Sequence, residues 1–252
     1  MVTSPALSPV QRERDLLGQT LVVIGGSAGI GLETARLARE KGADVIITAR
    51  NPDRLHRAGL ELGASIAAFD ATDFDRLERF FDELHSPIDH VLVTGPGPSY
   101  APLAQFDVDE LRRDVDAHIL LPLQVARNAV GKVLPGGTLL FMGGTGGRRT
   151  APDLYFLSAL TAALPALTKN LALELAPIRV NLIAAGFVDT PLSATILGDH
   201  LDARREQLRT TLPIGRVVGP ADVAALAVHL MTNTAVTGAT FDIDGGQQLV
   251  ER

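Results

Sequence analysis

The chain has 252 residues, 46% hydrophobic and 21% charged, which suits one large α/β domain with an ample core. Its formal net charge of −6 argues against a nucleic-acid partner, since phosphate backbones are held by basic fields. There is no cysteine, which excludes disulfides, thiolate nucleophiles and Cys-ligated zinc; the six histidines (His56, His85, His90, His118, His200 and His229) lack metal-ligand spacing.

Residues 1–15 are polar and carry no apolar signal core, so a flexible extension is expected there. No run approaches the ~20 apolar residues that span a bilayer, and the expectation is a cytoplasmic protein with no membrane contact. Short β-branched runs then alternate with longer helical stretches. The expected strands are Thr20–Ile24, Asp44–Thr48, Ser65–Phe69, His90–Thr94, Gly137–Met142, Arg179–Ile183 and Thr240–Ile243. Their nearly continuous apolar character fits strands buried on both faces. The expected helices lie near Gly29–Lys41, Phe74–Leu84, Val108–Val133, Leu157–Ala176 and Pro220–Met231. This order predicts a doubly wound Rossmann fold, a seven-stranded parallel sheet flanked by helices, as a single domain over residues 16–252. The strandless stretch around residues 187–219 is long enough to act as a substrate lid.

The strongest local signal is Leu21-Val22-Val23-Ile24-Gly25-Gly26-Ser27-Ala28-Gly29-Ile30-Gly31, a strand running through a glycine-rich turn into a helix. Glycines let the backbone approach a pyrophosphate, and the helix start offers free N–H groups. A tight strand-to-helix turn without a ligand gives the same local pattern. The second strand ends in Thr48-Ala49-Arg50-Asn51. An acid at this point would bind ribose hydroxyls and repel a 2′-phosphate, whereas Arg50 can pair with that phosphate. The expected cofactor is NADP(H), and the alternative for Arg50 is a solvated surface side chain.

The spacing Gly25…Gly29-Ile30-Gly31 resembles the short-chain dehydrogenase/reductase family. The resemblance continues through Asp70 after the third strand and Thr94-Gly95-Pro96-Gly97 in place of Asn-Asn-Ala-Gly. Further matches are Glu174-Leu175-Ala176-Pro177-Ile178-Arg179-Val180-Asn181 and Ala185-Gly186-Phe187-Val188-Asp189-Thr190-Pro191. Leu212-Pro213-Ile214-Gly215-Arg216, Thr237-Gly238 and Asp244-Gly245-Gly246 complete it. The resemblance implies cofactor contacts at Gly25, Ser27, Gly29, Ile30, Gly31, Arg50, Asn51, Asp70, Ala71, Thr94, Gly95, Gly97, Met142, Gly143, Gly186, Val188 and Thr190. It also implies a small-molecule substrate, and a homotetramer or homodimer joined through the helices of Val108–Val133 and Leu157–Ala176 and the last strand.

Active members of that family use a tyrosine, a lysine four residues later, a serine about thirteen residues earlier and an asparagine. This chain has two tyrosines, Tyr100 and Tyr155, and its lysines are Lys41, Lys132 and Lys169, so no Tyr-x-x-x-Lys occurs. The register from Glu174 places Leu157 at the tyrosine, Thr161 at the lysine, Gly144 or Thr145 at the serine and His118 at the asparagine. Three candidates for the proton chemistry stand in their place. Histidine carries protons near neutrality, which makes His118 a candidate acid or base; a satisfied helix histidine is the plainer alternative. Asp153 is a candidate for stabilising a cationic intermediate or relaying a proton, and equally for favouring a helix N-terminus. Tyr155 is a candidate if the helix start is rebuilt, with packing as the alternative. A divergent minority of the family resembles this chain in carrying a Pro-Asp element here, and some of those act on imines or assist cyclisations. Arg148 and Arg149 are either a cationic rim or solvated loop residues. Two functions remain open: an NADPH-dependent oxidoreductase of atypical mechanism acting on an activated C=N, C=C or C=O bond, or a non-redox cofactor-binding protein serving as sensor, cyclisation template or inactive partner subunit.

Overall fold

The structure is a computed structural model that describes residues 15–250 apart from 86, 98 and 149–153. In chain order it runs β1 (Thr20–Ile24), α1 (Gly29–Glu40), β2 (Asp44–Ala49), α2 (Pro52–Leu62), β3 (Ser65–Ala68), α3 (Phe74–Glu83) and β4 (Ile88–Val93). Then come α4 (Val108–Val115), α5 (Leu121–Ala129), β5 (Val133–Gly144), α6 (Tyr155–Glu174) and β6 (Arg179–Ala185). The chain closes with α7 (Pro191–Leu197), α8 (Leu201–Thr211), α9 (Pro220–Thr232) and β7 (Thr240–Ile243). The strands form one parallel sheet in the order β3-β2-β1-β4-β5-β6-β7. The order reverses between β1 and β4, and the crevice beyond their carboxyl ends is where such sheets bind ligands.

Side chains alternate across the sheet with a period of two, so each strand feeds two cores. Val22, Val91, Leu139, Phe141 and Val180 pack under α3, α5 and α6. Leu21, Val23, Val45, Leu92, Leu140 and Ile183 pack under α1 and α9. The central strands are buried on both faces as expected. β3 is mostly exposed and β7 half-buried, because an edge strand has a neighbour on one side only.

The structure departs from the sequence expectation in four places. α2 was not anticipated, although Asn51 accepts from Arg54 N at 2.8 Å as its cap, Pro52 starts it and left-handed Gly63 ends it. The helix expected over Val108–Val133 is broken by a π turn at Asp116–Leu120 and stops at Ala129, and β5 begins at Val133. Pro122 explains the break: it has no N–H to give the carbonyl of His118, four residues earlier. The lid region holds the two helices α7 and α8, tied back by an isolated bridge between Val188 and Val218. Lastly, α6 has 20 residues, an 18-residue stretch of which has mean hydropathy 1.3, and it is, among the described residues, long and apolar enough to cross a bilayer. Here it lies on β5 and β6 with Leu160, Leu164, Thr168 and Ala172 inward.

Candidate active site

The glycine loop is fixed by its neighbours on both sides. Gly25 and Gly26 each donate to the carbonyl of Thr48 at 3.0 Å. Gly25 has φ +92°, and a Cβ there would collide with the hydroxyl and carbonyl of Thr94. The Thr94 hydroxyl is within 3.0 Å of Ile24 O and 3.1 Å of Gly25 O, so it holds the loop to β4 rather than facing the crevice. A Cβ on Gly31 would strike the Gly25 carbonyl, which keeps α1 pressed against the loop. α1 follows Ala28, which offers no side-chain cap, and has no acid in its first turn. Its first N–H groups, at Gly29, Ile30 and Gly31, therefore face outward as an anion cradle. Thr190 closes this cradle, its methyl 3.5 Å from where a Gly29 side chain would begin. An uncapped helix start beside a glycine floor fits the pyrophosphate of a dinucleotide.

The next group of candidate residues lies at the end of β2. Arg50 Nη1 is 4.0 Å from Asp70 Oδ2, with both side chains largely exposed. The other Asp70 oxygen accepts from Thr72 N at 3.0 Å and Thr72 Oγ1 at 2.8 Å across Ala71. The Asn51 side-chain oxygen is committed to capping α2. Buried Ser27 accepts from Arg54 Nε at 3.3 Å. Arg54 was missed in the sequence because α2 was missed; the Asn51-Pro52 start was the signal that would have found it.

At the opposite end, Gly95 and Gly97 follow β4, Met142 and Gly143 close β5, and Gly186, Val188 and Thr190 follow β6. Gly186 is required by close packing, since a Cβ would sit 2.6 Å from Asp244 Cβ and 2.5 Å from Gln247 Oε1. Thr190 caps α7 in a box with Ser193. Asp189 receives a two-pronged pair from Arg205 on α8 at 2.8 and 2.9 Å, fastening α8 to the loop after β6. A side chain on Gly97 would meet Ile196 at 3.1 Å and Leu192 at 3.3 Å, so α7 roofs the crevice with apolar residues.

Leu157 and Thr161 face the end of β5, where side chains on Gly146 and Gly147 would meet them at 3.0 to 3.5 Å. Thr161 is buried and donates to its own helix, to Leu157 O at 2.9 Å or Ser158 O at 3.3 Å. It cannot stand in for a lysine. Tyr155 begins α6, and at 100° per residue it points away from the face that carries Leu157 and Thr161. The structure does not bring it to the crevice. Asp153 and Arg149 lie outside the described residues. Arg148 is turned to the far strand, paired with Asp242 and 3.4 Å from Gln248 Oε1, so it forms no free rim.

His118 lies in the π turn, half-buried, with Nδ1 2.9 Å from Asp114 O. A carbonyl oxygen can only accept, so Nδ1 is the donor in that bond. One turn earlier, Asp114 is 6% exposed, and its carboxylate accepts from Ser99 N at 2.9 Å, tying the β4 loop to α4. Burial, and then the Asp114 carboxylate, push the Tyr100 phenol above its ordinary value. Asp114 and Tyr100 were not singled out in the sequence; the only signal was the four-residue spacing of Asp114 from His118.

A parallel sheet with a glycine cradle at its switch point defines a Rossmann dinucleotide-binding protein. The family model described as enoyl-(acyl carrier protein) reductase matches residues 25–248. The chain is 30% identical to the short-chain dehydrogenase/reductase ATR9 of Stachybotrys chlorohalonatus, over 91% of this chain and 96% of that one. The structure is similar to the MalC reductase/Diels–Alderase of Malbranchea aurantiaca, with TM-score 0.87 and 27% identity over 94% of this chain and 99% of that chain. It is also similar to a small-chain dehydrogenase solved in complex with NADPH, with TM-score 0.79 and 26% identity over 92% of this chain and 99% of that chain. The chain belongs to the short-chain dehydrogenase/reductase family, a family of oxidoreductases that bind a nicotinamide cofactor and small-molecule substrates.

Proposed function

We propose that the protein is an NADP(H)-dependent oxidoreductase that reduces an activated C=N, C=C or C=O bond without a Tyr-Lys pair. The observation that carries this reading is the uncapped start of α1 beside a β2 that ends in Ala49-Arg50, where an acid would favour NAD. The pyrophosphate is held by the N–H groups of Gly29 to Gly31 and by Thr190, and the 2′-phosphate by Arg50. Gly95, Gly97, Met142, Gly143, Gly186 and Val188 line the nicotinamide end. When bound, the reduced nicotinamide supplies the hydride. The chain itself places the substrate under the apolar roof of Leu192 and Ile196 and manages the proton at His118 Nε2. An unactivated ketone needs a strong acid at its oxygen; a bond already polarised as an iminium does not, and this suits a site that carries Leu157 in place of a phenol.

A second reading is favoured by Leu157 and by the internal bonding of Thr161: a site that binds the cofactor and shapes a cyclisation without turnover. The similarity to a reductase/Diels–Alderase is compatible with both. Nicotinamide absorbance, followed with a panel of cyclic imines, enones and ketones, separates them. Substrate-dependent consumption of NADPH supports the oxidoreductase, and selective binding without consumption by any substrate supports the second reading. The protein is also proposed to form a homodimer or homotetramer, supported by the exposed face of α6, with Ala159, Ala162, Ala163 and Ala166, and by exposed Leu120 and Leu123.

A further inference from the structure

We infer that Arg54 is a second cation of the 2′-phosphate site, acting from the glycine-loop side together with the hydroxyl of Ser27. This rests on the NADP(H) reading above and deepens it.

Arg54 lies in the first turn of α2, which begins directly after Arg50 and Asn51 and is set by the Asn51 cap and Pro52. Its Nε donates at 3.3 Å to Ser27 Oγ, a hydroxyl 6% exposed within the cofactor loop. The side chain therefore bridges the end of β2 and the loop after β1, the two segments between which the adenosine ribose of a Rossmann cofactor sits. Among the described residues Arg54 has no carboxylate within the 4.0 Å that pairs Arg50 with Asp70. On α1, by contrast, Arg36 is paired with Glu33 and Glu61, and Arg39 with Asp44. A guanidinium has five N–H donors, and the Ser27 bond engages only Nε, so both terminal nitrogens stay open for an anion. Ser27 accepts from Arg54, and its own O–H remains available as a donor. A phosphate on the ribose is thus met by Arg50 from the strand end, Arg54 from the helix and Ser27 from the loop.

The test is a fluorescence titration of the wild-type protein, Arg50→Ala, Arg54→Ala and Arg54→Lys with NADPH and NADH, with competition by 2′,5′-ADP and 5′-ADP. Arg54→Ala is expected to weaken NADPH and 2′,5′-ADP by about 10- to 100-fold, the loss of a charge-assisted contact, and NADH and 5′-ADP by less than about threefold. Arg54→Lys, which keeps the charge and loses the fork, should fall between. Equal weakening of both cofactors would make Arg54 a prop for the loop and overturn the inference. So would unchanged NADPH affinity in Arg54→Ala when the wild type is NADPH-selective and Arg50→Ala is impaired. A wild type that binds both cofactors alike contradicts the NADP(H) reading itself, and the Arg54 inference falls with it.

Discussion

Arg50 stands at the end of β2, and the proposed preference for NADP(H) rests on this one side chain. It is exposed, and its nearest acid, Asp70, is 4.0 Å away and already holds Thr72, so the guanidinium can turn to a phosphate at little cost. Arg50→Ala should lower NADPH affinity about 10- to 100-fold and leave NADH affinity nearly unchanged, as read by titration. Unchanged NADPH affinity would remove Arg50 from the site. His118 carries the proton argument. Its Nδ1 is fixed on Asp114 O, so His118→Ala should reduce turnover by about 10²- to 10⁴-fold with little change in KM. Full activity in that variant would end its candidacy. Tyr155, pointing away from the face of Leu157, should tolerate replacement by Phe with activity intact.

At the scale of elements, the glycine loop is the least replaceable part of the chain. Gly31→Ala would drive a methyl into the Gly25 carbonyl, so α1 must move off the cradle; the expected result is loss of binding for both cofactors in a protein that still folds. β4 carries a different liability. His90 is 4% exposed, with Nε2 2.6 Å from Gln19 Oε1 and no partner for Nδ1. Burial, helped by the charge of Arg179, lowers it from 6.5 to about 4. The unfolded chain therefore binds this proton first. The stability that neutral His90 contributes is fully present above pH 6.5 and is lost as pH falls through about 4, roughly 3 kcal/mol in total. Denaturant melts from pH 7 to 4 should show that slope, and His90→Gln should flatten it; the same slope in the variant would place its origin elsewhere. Arg179 itself is buried and bonded to the carbonyls of Leu230, Met231 and Asn233, so it fastens the end of α9 to β6. The elements with one periodicity and two buried faces were legible from residues alone, which is why β1, β4 and β6 fell within a few residues of their observed limits. What escaped depends on single side chains: Pro122 broke a helix that the apolar pattern joined, and Asn51 started one that the pattern did not show. At the site, the cradle was legible because glycine spacing is a backbone requirement. Arg54, Asp114 and Tyr100 were not, because they are assembled by α2, α4 and a loop whose contacts exist only in three dimensions.

At the scale of the whole molecule, the sheet places the glycine cradle, Arg50 and the π turn at one carboxyl edge, while Arg205 ties α8 to Asp189 beside Thr190. α6 leaves a small-residue face outward on a 20-residue helix, an arrangement that lets a second copy approach closely. Light scattering on the purified chain should give two or four times the monomer mass, and Ala163→Glu should shift it towards the monomer. A monomeric wild type would contradict the proposed assembly. The cofactor preference itself is measured most directly by titration of the purified wild-type protein with NADPH and with NADH under one buffer. Saturable binding of NADPH is expected, with NADH weaker by at least about tenfold, the scale of one charge-assisted contact. Equal affinities, or binding of neither cofactor, would contradict the NADP(H) reading.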